Sequence, residues 1–195
     1  MSFTPQQIPE GAIRYNTDSS KMEVWIGDKW MIVSTNNESA TTSDRGLPMG
    51  GYKRPGDAAS DIVQYITIST TSNALDFGDL TQARKKHASV GGRVNAFCAG
   101  GDTPTITNII DTGVFATQAN FVDFGDLTAD TDSCAGVSNS TRGVIAGNEP
   151  STNVIQFFEL SYGGGAQDFG DLTASKLAPT GAGNATRGIF FGGES

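Results

Sequence analysis

Asp76-Phe77-Gly78-Asp79-Leu80-Thr81 is a hexapeptide that the chain writes three times. It returns as Asp123-Phe124-Gly125-Asp126-Leu127-Thr128 and as Asp168-Phe169-Gly170-Asp171-Leu172-Thr173. Phe124 follows Phe77 by 47 positions, and Phe169 follows Phe124 by 45. Chance does not place one hexamer three times at so even a period, so the chain is an array of like units. Outward from the hexamer, Thr81 to Gly100, Thr128 to Gly147 and Thr173 to Gly192 each span 19 positions. Ile68, Phe115 and Leu160 each precede the hexamer's Phe by 9. Only the segment after the glycine varies: Gly50 to Thr81 is 31, Gly100 to Thr128 is 28, and Gly147 to Thr173 is 26.

Fixed lengths predict strands and tight hairpins, because a one-residue slip would turn core side chains outward. Variable lengths predict surface loops, where insertion costs little. These loops are Tyr52–Asp61, Asp102–Asn108 and Asn148–Asn153, each with a Pro that suits a turn. Four short strands per unit follow. The first lies around Ala88–Val90, Ala135–Val137 or Pro179–Gly181, and the second is Ala96–Ala99, Val144–Ala146 or Ile189–Phe191. The third, rich in Val, Ile and aromatic residues, is Ile62–Ile68, Ile109–Phe115 or Val154–Leu160. The fourth carries the hexamer. A further signature, Arg45-Gly46, Arg142-Gly143 and Arg187-Gly188, precedes the second strand, and one unit departs from it with Asn95-Ala96. All-β units of about 40–50 residues are the period of propeller blades.

The array occupies residues 45–195, with units ending near 81, 128 and 173 and a two-strand remnant at 174–195. Three units and a fraction are too few for a closed propeller of about 4–8 blades. The remnant strand Arg187–Gly193 duplicates Arg45–Gly51. It is expected to pair with the first unit of the same chain or of another, and an open arc would leave unpaired edges. Association of copies is therefore expected.

Residues 1–33 have another grammar. Gly11–Asn16, Lys21–Ile26 and Lys29–Val33 read as a three-stranded meander with a Gly27-Asp28 turn. It holds both tryptophans of the chain and is small for independent stability. Tyr15, Trp25 and Trp30 are the candidate anchoring residues, for docking on something larger or for capping the first unit. Residues 34–44 read as a linker or a weak first strand.

The net charge of −8 argues against nucleic acid as a partner, which needs a basic surface. The one basic cluster, Arg84-Lys85-Lys86-His87, set against Ala129–Asp132 and Ala174–Leu177, reads as a solvated rim. Gly accounts for 25 residues and charged residues for 17%, which suits short strands and tight turns. Cys98 and Cys134 make no disulfide framework and read as small buried apolar residues. The N-terminal stretch lacks a basic segment followed by an apolar one, so folding in a cytoplasm is expected. No apolar run approaches a membrane span.

The search for chemistry yields no expected catalytic, cofactor or metal residue. Asp-Phe-Gly matches part of a kinase metal motif, but the phosphate loop, paired Lys and catalytic loop are missing from the sequence. Threefold repetition speaks for structure instead: Gly at a tight turn, Phe and Leu inward, Asp capping backbone donors. The pairs Asp76/Asp79, Asp123/Asp126 and Asp168/Asp171 lack the Asp-x-Asp-x-Asp-Gly loop of a calcium site. His87, the only histidine, reads as a strand or rim residue. Arg45, Arg142 and Arg187 suit hydrogen bonds to neighbouring carbonyls better than an anion ring. Gly163-Gly164-Gly165 reads as a hairpin turn. Candidate ligand contacts are the loop residues Tyr52, Lys53, Arg54, Asp102, Asn148 and Glu149.

The Gly pairs at Gly50-Gly51, Gly100-Gly101 and Gly192-Gly193, with the Ala83-to-His87 entry, resemble the kelch repeat. Gly147-Asn148 and the missing strand-four Trp depart from it. The stretch Gly11–Asp18, Lys21–Trp25 and Gly27–Trp30 is similar to a module near the start of tailed-phage fibre and appendage proteins. The repeats also resemble those of structural proteins of phages infecting marine bacteria, cyanobacteria especially. The resemblance implies an all-β virion protein: an N-terminal meander, then kelch-like blades forming a partial propeller completed by oligomerisation. It implies a head decoration, knob or tail fibre-type appendage assembled in the host cytoplasm. Its implied partners are other capsid or tail proteins, further copies of itself and a host surface glycan, with no membrane insertion and no cofactor. A cellular kelch-type interaction module is the alternative. A carbohydrate-active enzyme, which would need carboxylates converging within ~5–10 Å, ranks last.

Overall fold

The computed structural model describes residues 8–18, 21–33 and 44–194. The linker or weak strand expected at 34–44 lies outside them, save Asp44. The chain divides into two compact bodies, Met1–Ala40 and Thr41–Ser195. Every element described is a β-strand.

The first body is an antiparallel meander of β1 (Ile13–Asn16), β2 (Lys21–Ile26) and β3 (Lys29–Ile32), in that order. Gly27 takes φ +66° at the β2–β3 turn, a left-handed conformation that favours glycine. The turn brings Trp25 opposite Trp30.

The second body is a series of small antiparallel sheets. The first repeat comprises β4 (Arg45–Gly46), β5 (Tyr52–Lys53), β6 (Ala58–Thr67) and β7 (Leu75–Arg84). Here β6 is central, pairing with β4, β5 and β7. The second repeat is β8 (Ala88–Gly91) and β9 (Asn95–Ala99), a tiny hairpin of β10 (Asp102–Thr103) and β11 (Thr105–Ile106), then β12 (Ile109–Val114) and β13 (Val122–Asp126). The third is β14 (Ala135–Ser138), β15 (Arg142–Ala146), β16 (Thr152–Glu159) and β17 (Gln167–Lys176). Second and third repeats are four-stranded meanders paired in chain order, leaving out the small hairpin. The chain ends in a hairpin of β18 (Thr180–Gly183) and β19 (Gly188–Phe191). Among the described residues no sheet closes on itself.

The hexamer does more than end a strand. In each repeat its Phe is an extra residue. Val63 and Gln64 face Gly78 and Asp76, Ile110 and Asp111 face Gly125 and Asp123, and Ile155 and Gln156 face Gly170 and Asp168. The tight turn expected at this Gly is thus a β-bulge inside a hairpin strand, at φ +148°, +152° and +135°. A two-residue alternation conceals one inserted residue, which is why the motif reads as a turn. The bulge drives Phe77 and Leu80 inward as expected, and Asp123 and Asp168 accept from the Gly125 and Gly170 N–H groups.

The sheets bury apolar residues against one another, not within themselves. One core, around Val63, Phe77, Ala96, Cys98 and Phe121, lies between first and second repeats. The other, around Val90, Phe97, Ile110, Ile145 and Phe158, lies between second and third. Phe97 meets Phe124 and Phe158 edge-to-face at 5.0 and 5.5 Å, each pair worth about 0.5–1.5 kcal/mol beyond area. The first strands β8, β14 and β18 pack side by side. Glycine permits the approach: a Cβ on Gly136 would lie 2.8 Å from the Ser89 carbonyl, and one on Gly181 2.7 Å from the Gly136 carbonyl.

Candidate functional site

Each junction between repeats is built from the same positions. The hexamer Thr has no residue paired opposite it in its own hairpin, so its N–H needs an acceptor elsewhere. At the first junction Thr81 donates from N and Oγ1 to Asp111, at 3.0 and 2.7 Å. At the second Thr128 donates from N and Oγ1 to Gln156 Oε1, at 2.8 and 2.9 Å. Three residues after the Thr stands the partner of that acceptor. Arg84 ion-pairs with Asp111, both fully buried, and donates to the Ile109 carbonyl at 2.8 Å. Thr131 Oγ1 accepts from Gln156 Nε2 at 3.3 Å.

Backbone bonds recur too. Phe121 N–H donates to the Asp79 carbonyl and Ala166 N–H to the Asp126 carbonyl. Ser133 N–H donates to the Lys86 carbonyl and Ala178 N–H to the Ser133 carbonyl, and all three residues have φ near +50°. The next repeat's turn closes over each bulge: a Cβ on Gly78 would lie 2.5 Å from the Ala119 carbonyl, and one on Gly125 2.5 Å from the Gly164 carbonyl. Gly163–Gly165 is therefore the turn expected, and it seats on the preceding repeat.

The register sets Arg84 against Thr131 and Lys176, not against Ala129 and Ala174. Arg84 is also no solvated rim residue, because Asp111 compensates its charge inside. His87 is no open rim residue either. It packs against Gly50, and burial, then the Arg84 charge, pushes its pKa down to about 4. It is neutral at neutral pH. Burial pushes both the Cys98 and Cys134 thiols up to about 12. Arg45 crosses to the Phe115 carbonyl at 2.7 Å, as expected of it. Arg142 instead pairs within its own repeat with Glu159 at 2.7 Å and stacks on Phe157.

Four of the candidate loop residues gather around Lys85 and Lys86. Lys85 lies 3.5 Å from Asp102 and over the Tyr52 ring. Lys86 bonds Glu149 at 3.0 Å and lies 3.4 Å from the buried Asp132, and the Glu149 bond is the main cause raising its pKa. Asn148 Oδ1 accepts the Asp132 N–H. Lys53 lies 3.6 Å from Asp61, and Arg54 is exposed. These residues form a polar rim in which half the members knit loops together. No group of three His, Cys, Asp or Glu side chains among the described residues suits a metal.

A groove of about 310 Å³ lies between second and third repeats. Arg93, Asn95, Ser140 and Tyr162 line it over a floor of Phe97 and Phe124. Sequence reading missed it, although its signal was present: Asn95 stands where the other repeats carry Arg. Asn95 is too short to cross as Arg45 does, bonds Thr112 Oγ1 of its own sheet, and leaves space. An exposed aromatic ring with a guanidinium, an amide and a hydroxyl is chemistry that stacks on and hydrogen-bonds a polar ligand.

In the meander the anchoring candidates divide between faces. Register places Trp25 and Trp30 with Glu23, Arg14 and Asn16, where the rings meet edge-on at 5.3 Å and Arg14 lies over Trp30. Asn16 and Arg14 hydrogen-bond Glu23 and lower its pKa. Tyr15 lies on the opposite face with Ile13, Met22, Val24 and Met31, all but Val24 exposed. Comparison with known proteins adds no relative, since no family model and no curated protein matches the chain.

Proposed function

We propose that the chain is a non-enzymatic structural protein of a tailed-phage particle, a head decoration or fibre-type appendage. Its repeats act as propeller-type blades held outward, and the meander fastens it through the apolar face that carries Tyr15. The observation that supports a scaffold is the reuse of one set of positions at both junctions. Thr81 and Asp111, then Thr128 and Gln156, do the same joining work. Repeated polar residues are spent on holding neighbours, which is what an array needs, since its units share their cores. The particle assignment rests on the sequence resemblance. Weak contacts by the loop rim and the Tyr162 groove to a host surface glycan suit many copies on one particle, because avidity multiplies modest affinity.

The test is antibody labelling of purified particles under the electron microscope. Label on head or tail supports the proposal, and particles that lack the protein overturn it. Tyr162→Ala should then lower adsorption to host cells while leaving particle assembly intact.

A further inference from the structure

The groove above Phe97 and Phe124 exists because one position changes between repeats. At the first junction Arg45 spans the gap to the Phe115 carbonyl at 2.7 Å. Asn95 and Leu160 hold those two positions at the second junction, and Asn95 is tied to Thr112 of its own sheet at 3.2 Å. The 310 Å³ left open is at the small end of the ~300–1,000 Å³ of ligand sites. Three turns wall it, and each is fastened. The Ser138 hydroxyl donates to the Gly91 carbonyl at 2.8 Å, which joins the β14–β15 turn to the β8–β9 turn. Leu160 N–H donates to the Thr141 carbonyl at 2.8 Å, which joins the β16–β17 turn to them. Asn139 Oδ1 accepts from the N–H groups of Thr141 and Arg142 and fixes the middle turn from inside. A site on fastened turns loses little freedom when a ligand arrives.

The polar side chains of the groove are unspent. Arg93, Ser140, Ser161 and Tyr162 line it, are exposed, and have no hydrogen-bond or ion-pair partner among the described residues. No described carboxylate lines the groove, so Arg93 gives it a positive sign in a chain of net charge −8. The chain as a whole repels a dense polyanion. A group with a single negative charge is drawn to Arg93, whose planar fork grips a pair of anion oxygens. Tyr162, 68% exposed, offers its ring in the same groove. The hydroxyls of Ser140, Ser161 and Tyr162 donate and accept alike, which matches the hydroxyls of a sugar ring. Walls made of turns give an extended peptide no strand edge to join.

We infer that this groove takes an acidic sugar of a surface glycan, a ring that stacks on Tyr162 and carries a single carboxylate or sulfate ester. Arg93 grips the anion and thereby sets the specificity. Asn95 makes the room. This deepens the glycan contact proposed above and rests on it.

The test applies the full chain, gathered on streptavidin so that weak binding registers, to an array of uronate-bearing, sialylated, sulfated and neutral oligosaccharides. Signal on acidic glycans and none on neutral ones is expected, and the acidic class that responds tells carboxylate from sulfate. Arg93→Gln keeps hydrogen-bond donors but not the charge. It should lower the signal about tenfold or more with unchanged thermal unfolding. Acidic binding that survives Arg93→Gln overturns the inference. Asn95→Arg adds a positive charge but restores the bridge to Leu160 and fills the groove, so it should abolish the signal. A stronger signal overturns the inference, because charge alone would then be at work. Neutral binding that Tyr162→Ala removes would sink the acidic ligand and leave the glycan contact standing. A blank array overturns both, while antibody labelling still decides the particle role by itself.

Discussion

The two junctions perform one task with different chemistry. Between first and second repeats the acceptor of the Thr81 N–H is a buried carboxylate, matched by the buried Arg84. Between second and third it is a neutral amide, matched by a hydroxyl. Backbone geometry is common to both, so what the fold demands is an acceptor at that point, and its charge is optional provided the partner changes with it. A buried ion pair gains little over a neutral pair but is costly to break. The charged junction is therefore the brittle one.

Arg84→Met breaks that junction alone and leaves Asp111 buried without its cation. It should cost about 3–5 kcal/mol in urea unfolding. A loss below about 1 kcal/mol would mean that the carboxylate finds water or another partner. The charged junction also has the titrating neighbour. His87 occupies the position of Cys134 and Pro179 in the other repeats, and its pKa is depressed from 6.5 to about 4. The unfolded chain then binds a proton that the folded chain refuses. Stability is full above pH 6.5 and falls by about 3 kcal/mol as pH drops to 4. His87→Cys, borrowed from the neutral junction, should flatten that part of the pH profile.

Gln156→Leu strikes the neutral junction, where it strands the Thr128 N–H without stranding a charge. The expected loss is about 1–3 kcal/mol, smaller than for Arg84→Met. The sharpest comparison has the smallest effect. Arg84→Thr with Asp111→Gln transplants the neutral junction into the first position and should fall within about 1 kcal/mol of the natural protein, far less than the sum of the single losses. A double variant as unstable as that sum would show that the two junctions differ in backbone as well as in side chains.

Much of the architecture is legible in the hexamer and its fixed offsets, because strand register leaves a period that tolerates no slip. Strands such as Asn95–Ala99 and Arg142–Ala146 lie within a residue or two of where the spacing puts them. The bulge is hidden, since Phe124 differs from an ordinary strand residue only in having no partner opposite. Arg84 is hidden for another reason. Its sequence neighbours Lys85 and Lys86 are half-buried and pair with the loop carboxylates of Asp102 and Glu149, while its own partner is 27 positions away on another sheet. Comparing offsets within the chain would have found it, because Arg84 and Asp111 change together to Thr131 and Gln156. The groove at Asn95 was likewise written as a missing Arg, but an absence reveals space only once the strands have positions.

The bulge at Gly78 has a consequence in time. Its cover, the carbonyl of Ala119, lies about forty residues later, and a ribosome adding about 5–20 residues per second takes about 2–8 s to deliver it. During that interval the nascent first sheet has Phe77 without Phe121 to meet it. Synthesis thus imposes a direction on this array: the first sheet waits for the second to cover Gly78, and the second for the third to cover Gly125.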